Sequence, residues 1–138
     1  MNQINKLIMK RIKRIVPVLI LLISISSFIE AQTKKEVNSK VVSVMLQKDP
    51  GLVVLDVRTA DEFKEGHIKG AINIDIRRED AFVSIDKLNR NVPYIVYCRT
   101  NHRSGMAVEH MMKSGFRKVY QMMDGFPGWV ENNFPVQK

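Results

Sequence analysis

The sequence predicts an α/β fold built on an open, mostly parallel sheet. Short β-branched or apolar runs alternate with stretches whose apolar residues recur at helical spacing. The runs are continuous rather than alternating, as in strands buried on both faces. A third observation points to where chemistry would sit. The only cysteine of the 138 residues, Cys98, stands where one such run gives way to a helical pattern.

The chain opens with a basic segment, Lys6, Lys10, Arg11, Lys13 and Arg14. An apolar stretch from Ile15 to Ile29 follows, interrupted by Pro17, Ser24, Ser26 and Ser27, and Ala31-Gln32 offers a cleavage point. That is the order of parts in a secretory signal peptide. The stretch is shorter than the roughly 20 residues of a membrane-spanning helix. Residues 1–31 are therefore expected to be a signal peptide, with a retained N-terminal anchor as the alternative. No cysteine lies near position 31, which excludes lipid attachment there.

Residues 32–138 are enough for one domain with a single core. Gln32 to Glu36 is polar and expected to fray. Val37, Val41, Val42, Met45 and Leu46 mark a helix, with Asn38 or Ser39 as cap, ended by Asp49-Pro50-Gly51. Leu52 to Val57 reads as the first strand. Thr59 and Glu62 are spaced for a capping box, which implies a short helix through about Lys64, ended by Gly66. Ala71 to Ile74 is a second strand, and Phe82, Ile85 and Leu88 mark a loose helix. Tyr94 to Tyr97 is a third strand. Met106, Val108, Met111 and Met112 give the next helix, with Gly115 suited to its C-terminal end. Lys118 to Met122 is a fourth strand, and Asp124 to Trp129 turns into a last short helix.

The net charge of +8 is unevenly spread. Residues 1–31 hold five Lys/Arg and one Glu, so about +4 remains on residues 32–138. No basic stripe with interleaved aromatics occurs, which argues against nucleic-acid binding. A mild positive field suits small anionic substrates. Export would place the protein in an oxidising compartment, where one unpaired cysteine is either buried and inert or kept for chemistry.

The neighbours of Cys98 favour chemistry. After the strand come Arg99-Thr100-Asn101-His102-Arg103-Ser104-Gly105 and then the helix. Strand, short polar loop and helix start aim backbone N–H groups and a positive dipole end at the sulfur. Two arginines add charge that favours the nucleophilic thiolate. The alternative is a small apolar residue packed at a strand end. Ligands of open α/β sheets sit at the carboxyl ends of strands. Asp56-Val57-Arg58 and Cys98 both lie at such ends, and Asp56 with Arg58 forms a candidate buried pair. His67 is read as a structural hydrogen-bonding residue, His110 as solvated, and Trp129 and the methionine pairs Met111-Met112 and Met122-Met123 as core.

Three segments carry a family resemblance. Leu55-Asp56-Val57-Arg58-Thr59, Glu62-Phe63 and Glu65-Gly66-His67-Ile68-Lys69-Gly70-Ala71-Ile72-Asn73-Ile74 resemble the opening signature of the rhodanese family. Tyr97 to Ser104 resembles its active-site loop. Asp124-Gly125-Phe126, Trp129 and Phe134-Pro135-Val136 resemble its closing segment. With its leader, the chain is similar to the small exported single-domain rhodaneses of the phage-shock E kind.

The resemblance implies a single rhodanese-like domain over 32–138, with a mainly parallel five-stranded sheet flanked by helices. It implies a thiosulfate sulfurtransferase with Cys98 as nucleophile, passing through a Cys98 persulfide. Arg99, Thr100, Asn101, His102, Arg103, Ser104 and Arg58 are the expected substrate-binding residues, and Arg103 would point at the anionic donor. The partners would be a small anionic sulfur donor and a thiol or cyanide acceptor, with neither metal nor organic cofactor. A periplasmic monomer is expected, free of the membrane once the leader is cut, or tethered if it is kept. Two departures stand out: Asn101, where family loops often carry a glycine at positive φ, and Asp124, where a glycine is common. The spacing Cys-x4-Arg is one residue shorter than the Cys-x5-Arg loop of related phosphatases, which disfavours a phosphatase or arsenate reductase. A non-enzymatic persulfide carrier needs the same loop and stays open.

Overall fold

A computed structural model describes residues 2–25 and 31–138. The chain divides into two units, the second being Gln32–Lys138. In the first, helix α1 spans Gln3–Ile25. Residues 26–30, the end of the expected leader, lie outside the described residues. Among the described residues no helix is long and apolar enough to cross a membrane.

The second unit runs β1 (Thr33–Val37), α2 (Ser39–Lys48), β2 (Val53–Asp56), α3 (Ala60–Glu65), β3 (His67–Ile68), β4 (Ile72–Asn73), α4 (Ala81–Asp86), β5 (Pro93–Tyr97), α5 (His102–Lys113), β6 (Lys118–Met122), α6 (Gly125–Glu131) and β7 (Val136–Gln137). Five strands form one parallel sheet in the order β1-β6-β5-β2-β4, so β5 is central. β3 and β7 form a separate antiparallel pair.

The apolar runs make strands because both faces of the sheet are covered. Leu55, Tyr94, Val96 and Val119 pack on one side with Ala107, Val108 and Met111 of α5 and Ile85 of α4. Val54, Ile95, Tyr97 and Met122 pack on the other with Val42 of α2 and Trp129 of α6. Burying each large apolar side chain stabilises the fold by roughly 1.5–3 kcal/mol. Trp129 and the leading methionine of each pair, Met111 and Met122, are core residues, as expected.

The helix ends follow local chemistry. Asn38 caps α2, its side chain accepting from Val41 N at 3.0 Å. Thr59 and Glu62 form the expected capping box on α3. At the end of α5, Gly115 has φ +88°, with Gly115 N donating to Met112 O and Phe116 N to Met111 O. That is a Schellman closure, which favours glycine at the left-handed position.

Three expectations are corrected. The segment expected to fray is edge strand β1, paired from Thr33↔Lys118 to Val37↔Met122. Its hold is backbone pairing, so its polar, outward side chains give no apolar pattern. Gln32 adds two bonds, from Nε2 to the carbonyls of Met112 and Phe116. Helix α5 starts at His102 rather than near Met106, because the expected polar loop already contains its first turn. His110 is paired, not solvated: Nε2 lies 2.9 Å from Asp86 Oδ1, and the ring stacks on Phe82.

Candidate active site

Cys98 follows the central strand and is fully buried. Arg99, Thr100, Asn101 and His102 then turn across the carboxyl end of the sheet and are exposed. Ser104, in the first turn of α5, comes back beneath them. Its amide donates to Cys98 Sγ at 3.4 Å, and its hydroxyl lies 3.6 Å from the same sulfur. The sulfur thus meets a helix N-terminal amide and a hydroxyl, both suited to a bound anion. Among the described contacts, Ser104 is the one loop residue whose amide reaches it.

Asn101 does not adopt the positive φ expected of it; its φ is −136°. An ordinary residue fits here because the loop turns directly into α5. The backbone that requires glycine lies opposite, at Gly125, where φ is +59°. A Cβ there would collide with the carbonyls of Arg99 and Thr100. Phe126 N donates to Cys98 O at 2.9 Å, so the start of α6 braces the loop from behind.

The arginines divide. Arg58 is 4% exposed. Its Nε and Nη2 grip Asp56, and Nη2 also donates to Gly66 O at 2.7 Å. Its guanidinium centre sits 4.0 Å from the centre of the Phe126 ring. Arg58 is therefore a strut between β2, α3 and α6, in the buried pair with Asp56 that the sequence offers as a candidate. Burial first, and then Asp56, push the neighbouring Tyr97 phenol far above its usual range, so it stays neutral.

Arg103 makes a two-pronged pair with Glu62, Nη1 to Oε2 at 2.6 Å and Nη2 to Oε1 at 2.9 Å. Its guanidinium is tied to α3 rather than pointing freely at a donor. The Arg103 hydrogen bonds hold the Glu62 carboxyl at about 2, and Glu62 in turn pushes Arg103 up. Arg103 also lies within electrostatic reach of Cys98. Arg99, by contrast, is exposed, and neither it nor Thr100 nor His102 makes a side-chain bond among the described residues.

Two contributions to the site, from Glu62 and Gln121, are not evident from sequence. The sequence shows Glu62 as a cap only, and its second partner is 41 residues away. Gln121, 4% exposed, donates from Nε2 to Asn101 O at 2.8 Å and Ser104 Oγ at 3.2 Å. Its signal was one amide inside an apolar strand. Asp124 accepts from Ser39 N and Ser39 Oγ at the start of α2. His67 does as expected: Nδ1 lies 2.9 Å from Phe63 O, and the ring stacks on Phe63. Among the described residues no cluster of three His, Cys, Asp or Glu could hold a metal.

The rhodanese-like domain family matches residues 40–132, more than half of the chain. The chain belongs to this family. Thiosulfate sulfurtransferase 18 of Arabidopsis thaliana is 30% identical over 125 residues, covering 82% of this chain and 90% of that protein. YrkF of Bacillus subtilis, a protein named for sulfur carriage, is 29% identical over 100 residues. That match covers 72% of this chain and only 53% of YrkF, so the chain spans about half of that relative. A rhodanese-related protein from Thermoplasma volcanium superposes with a TM-score of 0.66 at 28% identity, over 75% of this chain and 97% of that one. The rhodanese fold, with its five-stranded mainly parallel sheet, is thus common to both.

Proposed function

We propose that this chain is an exported thiosulfate sulfurtransferase of the phage-shock E kind, with Cys98 as its nucleophile. The observation that carries the reading is the sulfur of Cys98 at the end of the central strand, held by the amide and hydroxyl of Ser104 inside a Cys-x4-Arg loop. The relatives named as thiosulfate sulfurtransferases support it at the level of the family.

In the first half-reaction the Cys98 thiolate attacks the outer sulfur of thiosulfate. A Cys–S bond to that sulfur forms, the sulfur–sulfur bond of thiosulfate breaks, and sulfite leaves with the electron pair. In the second, an acceptor nucleophile, cyanide or a thiolate, attacks the outer sulfur of the persulfide and the Cys98 thiolate departs. Covalent catalysis divides one transfer between two anions into two separate steps. Ser104 stabilises the sulfur anion in both. Arg103, steadied by Glu62, supplies fixed positive charge beside it, and exposed Arg99 draws the dianionic donor toward the loop. Because Cys98 is buried, the exposed residues Arg99 to His102 must shift to admit the donor.

A persulfide carrier is the second reading, favoured by the likeness to YrkF. Intact-mass measurement before and after thiosulfate tests the first step. A gain of one sulfur atom, removed by cyanide and absent in Cys98→Ser, is expected. No gain on reduced protein overturns the reading. Repeated turnover with cyanide separates enzyme from carrier. The signal-peptide reading of residues 1–31 expects a mature N-terminus at Gln32 in the periplasm. N-terminal sequencing of the fractionated protein checks this, and an intact N-terminus would favour the anchor.

A further inference from the structure

The polar groups beside Cys98, with Ser104 and Gln121 buried, form a directed chain. The thiol is placed to donate to Ser104 Oγ at 3.6 Å, and Ser104 Oγ to donate to Asn101 O at 3.1 Å. Gln121 Nε2 reaches both acceptors, Ser104 Oγ at 3.2 Å and Asn101 O at 2.8 Å. Gly105 N also donates to Asn101 O, at 2.9 Å. A carbonyl oxygen has two lone pairs and here has three donors. The two shorter contacts come from Gln121 and Gly105, so the Ser104 hydroxyl is the donor most easily released. A serine hydroxyl has one proton and rotates to suit its neighbours.

We propose that Gln121 is a positioning residue that frees the Ser104 hydroxyl to turn to the Cys98 sulfur whenever that sulfur is an anion. In the thiol form the proton of Cys98 points at Ser104 Oγ and the serine proton at Asn101 O. When the thiol proton leaves to solvent, the Ser104 O–H swings from Asn101 O to Sγ. Asn101 O keeps its bonds from Gln121 and Gly105, so this acceptor is not left unpaired. Gln121 keeps one N–H on Ser104 Oγ in both states and so fixes the oxygen while its hydrogen moves. The same arrangement receives the thiolate released when a persulfide gives up its sulfur.

The inference rests on the reading of Cys98 as a working thiolate. Its test does not need sulfur transfer. Thiolate ultraviolet absorbance of the full chain is followed against pH, with Cys98→Ser as the blank, so that the single cysteine is read alone. In Gln121→Met the Ser104 hydroxyl is drawn back to Asn101 O. The midpoint is expected to rise by about half to one pH unit. Ser104→Ala is expected to raise it at least as far, and adding Gln121→Met to Ser104→Ala to move it no further. An unmoved midpoint in Gln121→Met overturns the proposal. So does an equal shift on the Ser104→Ala background, which would mean general damage to the loop. Gln121→Leu replaces Gln121→Met if that variant does not fold, and an unmoved midpoint in Ser104→Ala overturns the proposal independently of both. The expected shifts in the variants without a persulfide would sink the sulfur-transfer reading and leave this relay standing. A persulfide with an unmoved midpoint would do the reverse.

Discussion

Three arginines surround the candidate site, and their depth sorts what each does. Arg58 lies beneath the loop, 4% exposed and locked to Asp56, Gly66 O and the Phe126 ring. Arg103 sits at the wall, its side chain 14% exposed and clamped by Glu62. Arg99 lies on the rim with no side-chain partner among the described residues. The deeper the guanidinium, the more its loss acts on folding; the shallower, the more it acts on the substrate. A buried charge deprived of its partner keeps its desolvation penalty, whereas a rim charge is already solvated and screened.

The sharpest way to break this contrast is at the floor. Arg58→Ala leaves Asp56 buried and unpaired, and a loss of about 3–5 kcal/mol is expected. Urea unfolding of the full chain measures it. Since small domains are stable by only about 5–15 kcal/mol, the variant should be close to unfolding at physiological temperature. A loss below about 1 kcal/mol would show that Arg58 is not the strut inferred from its contacts.

The brace behind the loop comes next. Gly125→Ala puts a methyl against two loop carbonyls on a backbone at positive φ, so a loss of about 1–3 kcal/mol is expected. Its effect on sulfur transfer should exceed its effect on stability, because the displaced atoms belong to Arg99 and Thr100. Persulfide formation at a temperature where the variant is still folded tests this. Unchanged rates would mean that the loop yields without moving the sulfur.

How far these roles were legible depends on what holds each part. β2, β5 and β6 are buried on both faces, and their continuous apolar runs announce them. β1 is held at the sheet edge mainly by backbone bonds, so its Lys-Lys-Glu sequence says nothing of a strand. β3 and β7 are two residues each, below the reach of any periodicity. Cys98 and the Cys-x4-Arg spacing are local and were readable. The direction of Arg103 was not, because it is set by Glu62 across the fold. The Thr59–Glu62 spacing correctly gave a cap, but a cap carboxylate has a second oxygen, and its partner is a matter of topology. Gln121 was visible only as a polar residue in an apolar strand, a signal that a buried acceptor lies nearby.

The wall pair makes the contrast depend on pH. Glu62 titrates near 2 in the folded chain against an ordinary 4.5, so its contribution is fully present above about pH 4.5 and is lost as pH falls toward 2. The shift corresponds to at most about 3 kcal/mol, less at high salt. Stability measured from pH 6 to pH 2 should fall through that window, and Glu62→Gln should flatten the fall. At neutral pH Glu62→Gln should raise KM for thiosulfate more than it lowers kcat, since it loosens a positive charge without touching the sulfur. An unchanged pH profile would mean that Arg103 finds another partner.

The rim gives the smallest effect, and its signature is salt. Arg99→Ala should leave stability within about 0.5 kcal/mol, because the side chain holds nothing. It should raise KM for thiosulfate about two- to three-fold at low ionic strength by removing one charge from the path of a dianion. The difference should fade as salt rises, since at 1 M the screening length is about 3 Å. Steady-state kinetics of both forms across ionic strength checks this directly. A KM effect that persists at high salt would mean that Arg99 folds inward onto the bound donor and makes a direct contact there. The rim would then act as a closing part of the site rather than as a source of field, and the sorting of the three arginines by depth would hold only for the empty protein.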